Sequence, residues 1–243
     1  MDEKAIELGR AHLAQYGDRS IIHKGNFRNL ASIVDALDYT PMQGIVYDFG
    51  LSMDLIKNSG RGFSFQQNEP LDMRFDVDQE ISASDIVNSW PEHLLADTIY
   101  QLSDERYSRH IAHDIVKARE KERIMTTGRL VEIIEKAVPP AYQRRRTHPA
   151  TKTFQALRMA VNDELHTIEE SLKSAMDLLE PGGRIVVISF HSLEDRLVKN
   201  LFRDAGREKR VKVLTKKPLV PTDEEMEANP ASRSAKLRAI EIL

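Results

Sequence analysis

The strongest pattern in the sequence is a run of apolar residues that recur every three or four positions and precede a turn. The recurring residues are Phe154, Leu157, Val161, Leu165, Ile168, Leu172, Ala175 and Leu179. This spacing predicts one amphipathic helix of about seven turns. Residues 180–183 (EPGG) then predict a helix stop and a turn, and Arg184–Phe190 (RIVVISF) predicts a buried strand. This helix–turn–strand order is typical of an α/β fold with a parallel sheet.

Shorter apolar runs predict further strands. Gly44–Asp48 (GIVYD) has the continuous apolar character of a buried strand, and Ser20–His23 (SIIH) is a short β-rich run after an N-terminal amphipathic helix. Near the end of the chain, Val211–Leu214 (VKVL) and Leu237–Leu243 (LRAIEIL) predict two more strands. Because these two lie close together in the sequence, we expect them to form an antiparallel pair at the edge of the sheet.

The stretch between residues 57 and 150 has no β-type run and shows three successive helical patterns instead. Their apolar positions are Leu95, Ile99 and Leu102, then Tyr107, Ile111, Ile115 and Ala118, then Leu130, Ile133, Ile134 and Ala137. Ser82 and Ser103 are predicted to be helix N-caps. We therefore expect residues 57–150 to form an all-helical domain inserted into an α/β domain of residues 1–56 and 151–243.

The composition is ordinary for a water-soluble globular protein, with 41% hydrophobic and 30% charged residues among 243. The sequence contains no cysteine, which excludes disulfides and thiolate metal sites and favours a reducing cytosol. No apolar run reaches the ~20 residues that a membrane-spanning helix needs. The N-terminal residues also lack the pattern of a signal peptide. We therefore predict a cytoplasmic protein that makes no membrane contact.

Positive charge is concentrated in two stretches, although the net charge of the chain is −3. Residues 139–162 contain no carboxylate and five cations, which are Arg144, Arg145, Arg146, Lys152 and Arg158. Residues 203–217 contain seven cations and two acids. Either stretch alone is explained equally well as solvated surface. Two such stretches in a mildly acidic chain favour contact with phosphate groups.

Three of the predicted strands are followed by side chains that suit a ligand site. Phe27 comes shortly after the first strand, Asp48 ends the second, and His191 follows the third. Because ligands of open α/β sheets bind at the carboxyl ends of the strands, we expect these side chains to surround one pocket. Each also has a simpler interpretation: Phe27 as a core residue, Asp48 as a turn cap and His191 as a hydrogen-bond partner of its own loop. Ser192 and Asp195 are predicted to form the capping box of the next helix.

Four sequence blocks resemble the signatures of the MraW-type methyltransferase family and occur in the family's order. They are RGFSF with PLDMR (61–65 and 70–74), HPATKTFQALRMAVNDEL (148–165), PGGRIVVISFHSLEDRLVK (181–199) and NPASRSAKLR (229–238). The resemblance extends over nearly the whole chain. It implies a class I, Rossmann-like methyltransferase with a seven-stranded α/β sheet, a helical insert and the cofactor S-adenosyl-L-methionine. The implied reaction is N4-methylation of a cytidine in the decoding region of small-subunit (16S) ribosomal RNA, with the 30S subunit as partner.

The resemblance also implies roles for individual residues. Phe27 matches the aromatic residue that borders the cofactor's adenine, and Asp48 matches the acidic residue that faces the cofactor and the reacting amine. Asp48 and His191 are the predicted catalytic residues, His191 as a substrate contact or structural gate. Leu55 stands where the family usually has a cofactor-contacting glutamine, and it cannot supply that hydrogen bond. The predicted RNA-binding residues are Arg144, Arg145, Arg146, Lys152 and Arg158.

One family segment has no counterpart in this sequence. The Gly-rich loop and the acidic residue that holds the ribose would lie before Met1, and Asp2 corresponds to the neighbour of that acidic residue. We therefore expect a truncated gene model, a sheet that lacks its first strands, and weak or no cofactor binding by the 243 residues alone. Two alternatives stay open: a non-catalytic RNA-binding remnant of the family, and a methyltransferase whose missing half is supplied by a separate chain. We expect no metal site, and the sequence is compatible with a homodimer.

Overall fold

In a computed structural model, which describes residues 3–145 and 147–243, the chain divides into two compact units. The first unit comprises Met1–Lys24 and Leu51–Glu164, and the second comprises Gly25–Gly50 and Leu165–Leu243. We call them the helical unit and the sheet unit, after the elements that they contain. The domain boundaries that the sequence suggests, with an insert at residues 57–150, stay a prediction.

Both units are built from short elements. The helices are α1 (Glu3–Leu13), α2 (Leu30–Ala36), α3 (Met53–Asn58), α4 (Ala83–Ser89), α5 (Glu92–Ser103), α6 (Ser108–Arg119), α7 (Thr127–Ala137), α8 (Pro140–Gln143), α9 (Ala150–Val161), α10 (Glu164–Leu178), α11 (Ser192–Arg207) and α12 (Asp223–Ala228). The strands are β1 (Met42–Asp48), β2 (Leu179–Ser189), β3 (Val211–Val213) and β4 (Lys236–Ile242). Short 3-10 helices cover Ala14–Arg19, Phe27–Asn29 and Pro230–Ser234. Within the described ranges, none of the helices has the length and apolar character needed to cross a membrane.

The described strands form one mixed sheet in the order β1-β2-β4-β3. β1 runs parallel to β2, whereas β4 runs antiparallel to both β2 and β3. The predicted strands at Gly44–Asp48 and Arg184–Phe190 are confirmed, and so is the antiparallel pair near the C-terminus at an edge of the sheet. This α/β architecture is consistent with a methyltransferase fold. The seven-stranded sheet and its missing first strands stay a prediction.

The core of the sheet unit lies on one face of β1 and β2. Along β1 the side chains of Ile45 and Tyr47 are buried, whereas the side chain of Val46 between them is 70% exposed, as the two-residue period of a strand requires. The buried side chains form one hydrophobic cluster with residues of α10 and α11, including Leu172 and Phe202. This packing fixes the two parallel strands whose carboxyl ends carry the candidate site.

The predicted strand at Ser20–His23 is wrong. These residues have no regular secondary structure. The Ser20 amide donates back to the carbonyl oxygen of Gly17 at 3.2 Å, and the side chain of Ile21 is 53% exposed. A β-rich run becomes a strand only where a neighbouring backbone pairs with it, and no strand of the described chain does so here.

The predicted seven-turn helix is also wrong, because α9 and α10 are separate helices. The break lies at Asn162 and Asp163, and Asp163 adopts a left-handed backbone with φ 46°. The Asn162 side chain accepts a hydrogen bond from the Phe75 amide at 2.7 Å and donates to the carbonyl oxygen of Met73 at 2.8 Å. A loop distant in sequence therefore holds the residue at which the helix ends.

The predicted turn at residues 180–183 is part of strand β2. The helix does stop before it, at Leu178. The register between the parallel strands then shifts, because Met42 pairs with Leu179 and Gly44 already pairs with Arg184. The extra residues of β2 form a bulge, and Gly182 in it has a φ of 85°, a conformation that glycine adopts readily.

The helical unit has its own core, to which the three predicted helical patterns contribute. They correspond to α5, α6 and α7, and their residues Leu95, Ile99, Ile111, Ile115, Leu130 and Ile134 are all fully buried. The predicted cap Ser82 is confirmed, since its hydroxyl accepts a hydrogen bond from the Asp85 amide at the start of α4. The predicted cap Ser103 is wrong. It is the last residue of α5, and its hydroxyl donates to the Ile99 carbonyl within the same helix at 2.6 Å.

Candidate active site

The carboxyl ends of β1 and β2 lie side by side in the sheet unit. Asp48 at the end of β1 pairs with Ile188, and the next amide, that of Phe49, donates to the carbonyl oxygen of Ile188 at 3.1 Å. The segments that leave the two strands, Phe49–Gly50 and Phe190–His191, therefore start from the same edge of the sheet. This edge is where open α/β sheets bind their ligands.

Asp48 is exposed and is held by its own turn. Its Oδ1 atom accepts a hydrogen bond from the Gly50 amide at 2.8 Å, so the turn-cap interpretation of this residue describes its local contact. The turn uses one carboxylate oxygen, and within the described chain Asp48 forms no ion pair that would neutralise it. A carboxylate has capacity for several hydrogen bonds. Asp48 is therefore oriented by the turn, and its carboxylate can still accept hydrogen bonds from a ligand.

Gly50 makes the close approach of the two strand ends possible. A Cβ atom at this position would lie 2.9 Å from Oδ1 of Asp48 and 2.9 Å from Cε2 of Phe190. Both distances are shorter than a normal van der Waals contact, so any larger residue would displace the Asp48 carboxylate or the Phe190 ring. The absence of a side chain here is needed for the arrangement of the site.

The rings of Phe27, Tyr47 and Phe49 pack together at the end of β1, and Tyr47 lies on the buried face of the strand whereas its neighbour Asp48 is exposed. The Phe27 ring lies 6.0 Å from that of Phe49 in a stacked arrangement and 6.1 Å from that of Tyr47 in an edge-on arrangement, measured between centroids. Phe27 begins the 3-10 helix Phe27–Asn29, and its side chain is 39% exposed. The interpretation of Phe27 as a core residue is therefore wrong, because part of the residue is open to solvent.

Tyr47 anchors these rings to the core. Its hydroxyl lies 2.8 Å from the Ser171 hydroxyl of α10. Burial raises the pKa of Tyr47 to about 12, although the hydrogen bond with Ser171 acts in the opposite direction. Tyr47 is therefore neutral at physiological pH and serves as a fixed support.

His191 is the N-cap of helix α11. Its Nδ1 atom accepts a hydrogen bond from the Glu194 amide at 3.3 Å, and a Glu194 carboxylate oxygen accepts from the Phe190 and His191 amides at 2.8 and 3.2 Å. The capping box is therefore His191 with Glu194, and the predicted box of Ser192 with Asp195 is wrong. The second ring nitrogen, Nε2, lies 3.0 Å from Glu194 Oε1 without the alignment of a hydrogen bond. His191 thus holds the junction between β2 and α11.

Asp195 has a different partner across the sheet unit. Its carboxylate lies 2.6 Å from the Arg238 guanidinium of β4 and 3.6 Å from the Lys236 ammonium. Burial alone would raise the pKa of the Asp195 carboxyl, but the hydrogen bond and charge of Arg238, with help from Lys236, hold it below its usual value. This pair links the start of α11 to β4.

Acidification is expected to remove the stabilising contribution of Asp195. Because its pKa is lowered in the folded protein, the contribution is fully present above the ordinary aspartate pKa of about 3.9 and is lost as the pH falls through the lowered value. The free energy of unfolding of wild type and of Asp195→Asn, followed by circular dichroism in urea, should therefore converge as the pH is lowered toward 3. Asp177→Asn, at an exposed ion pair with Arg210, is the control. A difference between wild type and Asp195→Asn that does not change with pH would contradict this interpretation.

Four of the five predicted RNA-binding residues are described, and they lie in the helical unit with different surroundings. Arg144 and Arg145 are exposed, and Lys152 donates to the carbonyl oxygen of Asp104 at 2.8 Å. Arg158 is half-buried and forms two hydrogen bonds with the Glu164 carboxylate at 2.7 and 2.8 Å. Its charge is therefore already matched. Arg146 lies outside the described residues, so the structure says nothing of it.

Two further residues differ from what the sequence indicated: Leu55, which was predicted to be at the cofactor site, and Phe49, which was not. Leu55 lies half-buried on helix α3 of the helical unit, with no polar side-chain atom to offer a ligand. Phe49 is a residue that the sequence analysis missed, although it stacks on Phe27 and directly follows Asp48. Its position one residue after a strand-ending aspartate was the available signal.

The family signature near residue 61 is a folded loop of the helical unit. The Gly62 amide donates to the Glu69 carboxylate at 2.8 Å, and the rings of Phe63 and Phe75 stack with centroids 5.6 Å apart. The Arg61 guanidinium donates to the carbonyl oxygen of Arg74 at 2.8 Å. The two halves of this block, which are separated in the sequence, are thus parts of one structure.

Comparison with known proteins settles which family these features belong to. The model of the MraW methylase family matches residues 1–243. The chain belongs to the MraW methylase family. The resemblance that the sequence blocks suggested is therefore confirmed.

The relatives of this MraW family member include several curated proteins named ribosomal RNA small subunit methyltransferase H. The chain is 47% identical to the protein of Pelobacter propionicus over an alignment 257 positions long, which covers all of the chain and 82% of the relative. It is 48% identical to the protein of Carboxydothermus hydrogenoformans with the same coverage. It is 47% identical to the protein of Persephonella marina over 98% of the chain and 80% of the relative.

Proposed function

We propose that this chain is an S-adenosylmethionine-dependent methyltransferase that modifies N4 of a cytidine in the decoding region of small-subunit ribosomal RNA. The observation that carries the proposal is the exposed carboxylate of Asp48, which its own turn orients at the adjacent ends of two parallel strands. The partly exposed Phe27 stacks on Phe49, the residue that follows Asp48. The names of the relatives agree with an RNA substrate from the small ribosomal subunit. A ribosomal substrate also fits the predicted cytoplasmic location.

The residues of the sheet unit suit the proposed cofactor. Phe27 is a partly exposed aromatic residue that suits contact with the adenine ring, and the exposed Asp48 carboxylate suits a cationic sulfonium group. When bound, S-adenosyl-L-methionine supplies an electrophilic methyl group. The side chain of Leu55 has no atom that could hydrogen-bond to the cofactor. The tests below use the chromosomal gene.

Asp48 is the proposed catalytic residue. The exocyclic amine of cytosine is a poor nucleophile because its lone pair is delocalised into the ring. A carboxylate that accepts a hydrogen bond from this amine localises the lone pair, and it can take the proton that the amine loses on methylation. Since Oδ1 of Asp48 is already held by the Gly50 amide, the carboxylate meets the substrate in a fixed orientation.

His191 is proposed to act by positioning. Its ring and the Glu194 carboxylate lock the segment between β2 and α11, which starts beside Asp48. This corresponds to the structural-gate role. A direct contact of His191 with the substrate stays the alternative.

The helical unit is proposed to bind the RNA. The target cytidine has to leave its stack to reach a pocket, and the exposed arginines Arg144 and Arg145 suit contact with the RNA backbone. Arg146 and Lys152 belong to the same proposal. Of the proposed RNA-binding residues, Arg158 is the least suited to contact phosphate, because its guanidinium already binds the Glu164 carboxylate. A homodimer stays a prediction.

Substitution of Gly50 by alanine is expected to slow methyl transfer about 10- to 100-fold, the usual effect of a misplacement of about 1 Å at a reacting group. The reason is the close approach of the added Cβ atom to Asp48 and Phe190 at 2.9 Å. Gly44→Ala, in the strand that precedes Gly50, is the matched control, because its Cβ atom would meet the Arg184 carbonyl oxygen at an ordinary 3.5 Å. Initial rates on unmethylated small subunits test this, and equal rates for both variants would contradict the proposed geometry.

The proposed function itself is tested by removing the gene. Small-subunit ribosomal RNA from wild-type cells, deleted cells and complemented cells is digested to nucleosides and analysed by mass spectrometry. We expect N4-methylcytidine to disappear on deletion and to return on complementation. Unchanged N4-methylcytidine in the deleted strain would favour the alternative of a non-catalytic RNA-binding remnant.

A further inference from the structure

We infer that the helical unit carries a stacking site for unpaired RNA bases, formed by Arg106 and Arg145 on a support of two tyrosines. This inference rests on the proposed function, because that function makes RNA the substrate. It adds Arg106, Tyr107 and Tyr142 to the residues that the charge pattern of the sequence indicates.

The geometry of the site is a set of guanidinium groups held on aromatic rings. The Arg106 guanidinium carbon lies 4.7 Å from the ring centroid of Tyr107 and 5.0 Å from that of Tyr142. The guanidinium carbon of Arg145 lies 4.8 Å from the Tyr142 centroid. The two tyrosine rings pack edge to face, with centroids 4.9 Å apart. Arg106 and Arg145 are both exposed, and within the described residues neither forms an ion pair with a carboxylate.

A buried carboxylate holds this arrangement in place. Glu105 is fully buried, and it accepts hydrogen bonds from the Tyr142 hydroxyl at 2.6 Å and from the Tyr107 amide at 2.9 Å. It thereby ties helix α8 to the start of α6. Burial and the hydrogen bond with Glu105 raise the pKa of Tyr142 to about 12, so its hydroxyl remains a donor at physiological pH. The tyrosines are thus fixed before any ligand arrives.

The chemistry of this surface favours unpaired RNA over other ligands. A planar guanidinium stacks on a nucleobase and still donates to a phosphate, and unpaired bases are the ones whose faces are accessible. The exposed Arg109, His110 and Arg144 in the neighbouring sequence add positive charge. Lys152 donates to the carbonyl oxygen of Asp104, the exposed acid next to Glu105. This contact does not involve Arg106 or Arg145, so both guanidinium groups stay available to a ligand. In a duplex the faces of the bases are covered by stacking, so a duplex would contact only the positive charges of this surface through its phosphates.

The test compares single arginine variants for RNA binding. Arg106→Ala and Arg145→Ala are each expected to raise the Kd for a single-stranded fragment of small-subunit ribosomal RNA about fivefold or more, the range of one lost base-stacking contact. Arg106→Lys keeps the charge but not the planar group and should recover only part of the binding. The control is Arg129→Ala, which removes the same charge from the same unit at an ion pair with Glu132. Fluorescence anisotropy at about 0.1 M salt gives the Kd, and circular dichroism verifies that the exposed-site variants are folded.

The outcomes separate this inference from the proposed function. Weaker binding of single-stranded RNA by both alanine variants, with a smaller effect on a duplex of the same sequence and none for Arg129→Ala, would support it. Unchanged RNA binding by both variants would overturn it, even if the wild-type gene is shown separately to methylate cytidine. Unchanged binding of naked RNA together with weaker binding of the 30S subunit would overturn it in favour of a protein partner.

Discussion

Replacement of Asp48 by asparagine is expected to lower the rate of N4-methylcytidine formation about 100- to 10,000-fold, the usual contribution of a general base. Asparagine has the same shape, and its carbonyl oxygen can still accept the hydrogen bond from the Gly50 amide. The turn should therefore persist, while the negative charge and the capacity to take a proton are lost. The measurement is the initial rate of protein produced from the intact gene, on small subunits from the deleted strain.

Asp35→Asn is the matched control for this prediction. Asp35 is an exposed aspartate of α2 in the same sheet unit, so the variant makes the same change of charge away from the strand ends. We expect it to react at the wild-type rate. A rate for Asp48→Asn within about threefold of wild type would show that Asp48 contributes far less than a general base does.

Replacement of Asn162 by alanine is expected to destabilise the helical unit by about 1–3 kcal/mol, because the hydrogen bonds that it removes are half-buried. The change removes the acceptor of the Phe75 amide and the donor to the carbonyl oxygens of Met73 and Arg158. A buried hydrogen-bonding group left without its partner costs about 1–3 kcal/mol. Trp90 is the single tryptophan of the chain and packs against the core of the helical unit, so its fluorescence in urea reports the unfolding of this unit.

Gln101→Ala on the exposed face of α5 serves as the control, and we expect it to change the free energy of unfolding by less than about 0.5 kcal/mol. Equal stability of Asn162→Ala and wild type would mean that the loop at residues 73–75 is held in place by other contacts.

The parts of the fold that depend on local sequence could be predicted, and Asp48 is the clearest example. Its strand has a continuous apolar run, and its turn needs only the glycine two residues later. The cap at Ser82 is likewise determined by a neighbour in the sequence, because its partner Asp85 lies three residues later. For features of this kind, the residues that produce the sequence pattern are the same residues that hold the local structure in place.

The features that were predicted wrongly depend on residues far apart in the sequence. The helical period continues from Val161 to Leu165 without interruption, but Asn162 ends the helix by binding Met73 and Phe75, 89 and 87 residues away. Ser20–His23 has the composition of a strand but lacks a partner in the described chain. The periodicity of apolar residues predicts which face of a segment is buried. It does not predict where contacts with distant residues end a helix, or whether a strand finds a partner.

The candidate binding residues show the same limit. Arg106 stands outside the basic stretch that begins near Arg144, so the charge pattern could not identify it. It comes close to Arg145 only because both lie on the ring of Tyr142, which Glu105 holds. Conversely, Arg158 belongs to the basic stretch, but Glu164 binds it.

The most direct test of the central claim is to trace the methyl group that the site at the carboxyl ends of β1 and β2 is proposed to transfer. Cells that carry the wild-type gene, the deletion or the chromosomal Asp48→Asn change are grown on methionine with a deuterated methyl group, and their small-subunit ribosomal RNA is mapped by mass spectrometry. We predict a deuterated methyl group on N4 of one decoding-region cytidine in wild type, its absence in the deletion and its near absence in Asp48→Asn. Persistence of that labelled N4-methylcytidine in the deleted strain, or a gene-dependent label on a carbon or ribose oxygen instead, would contradict the account.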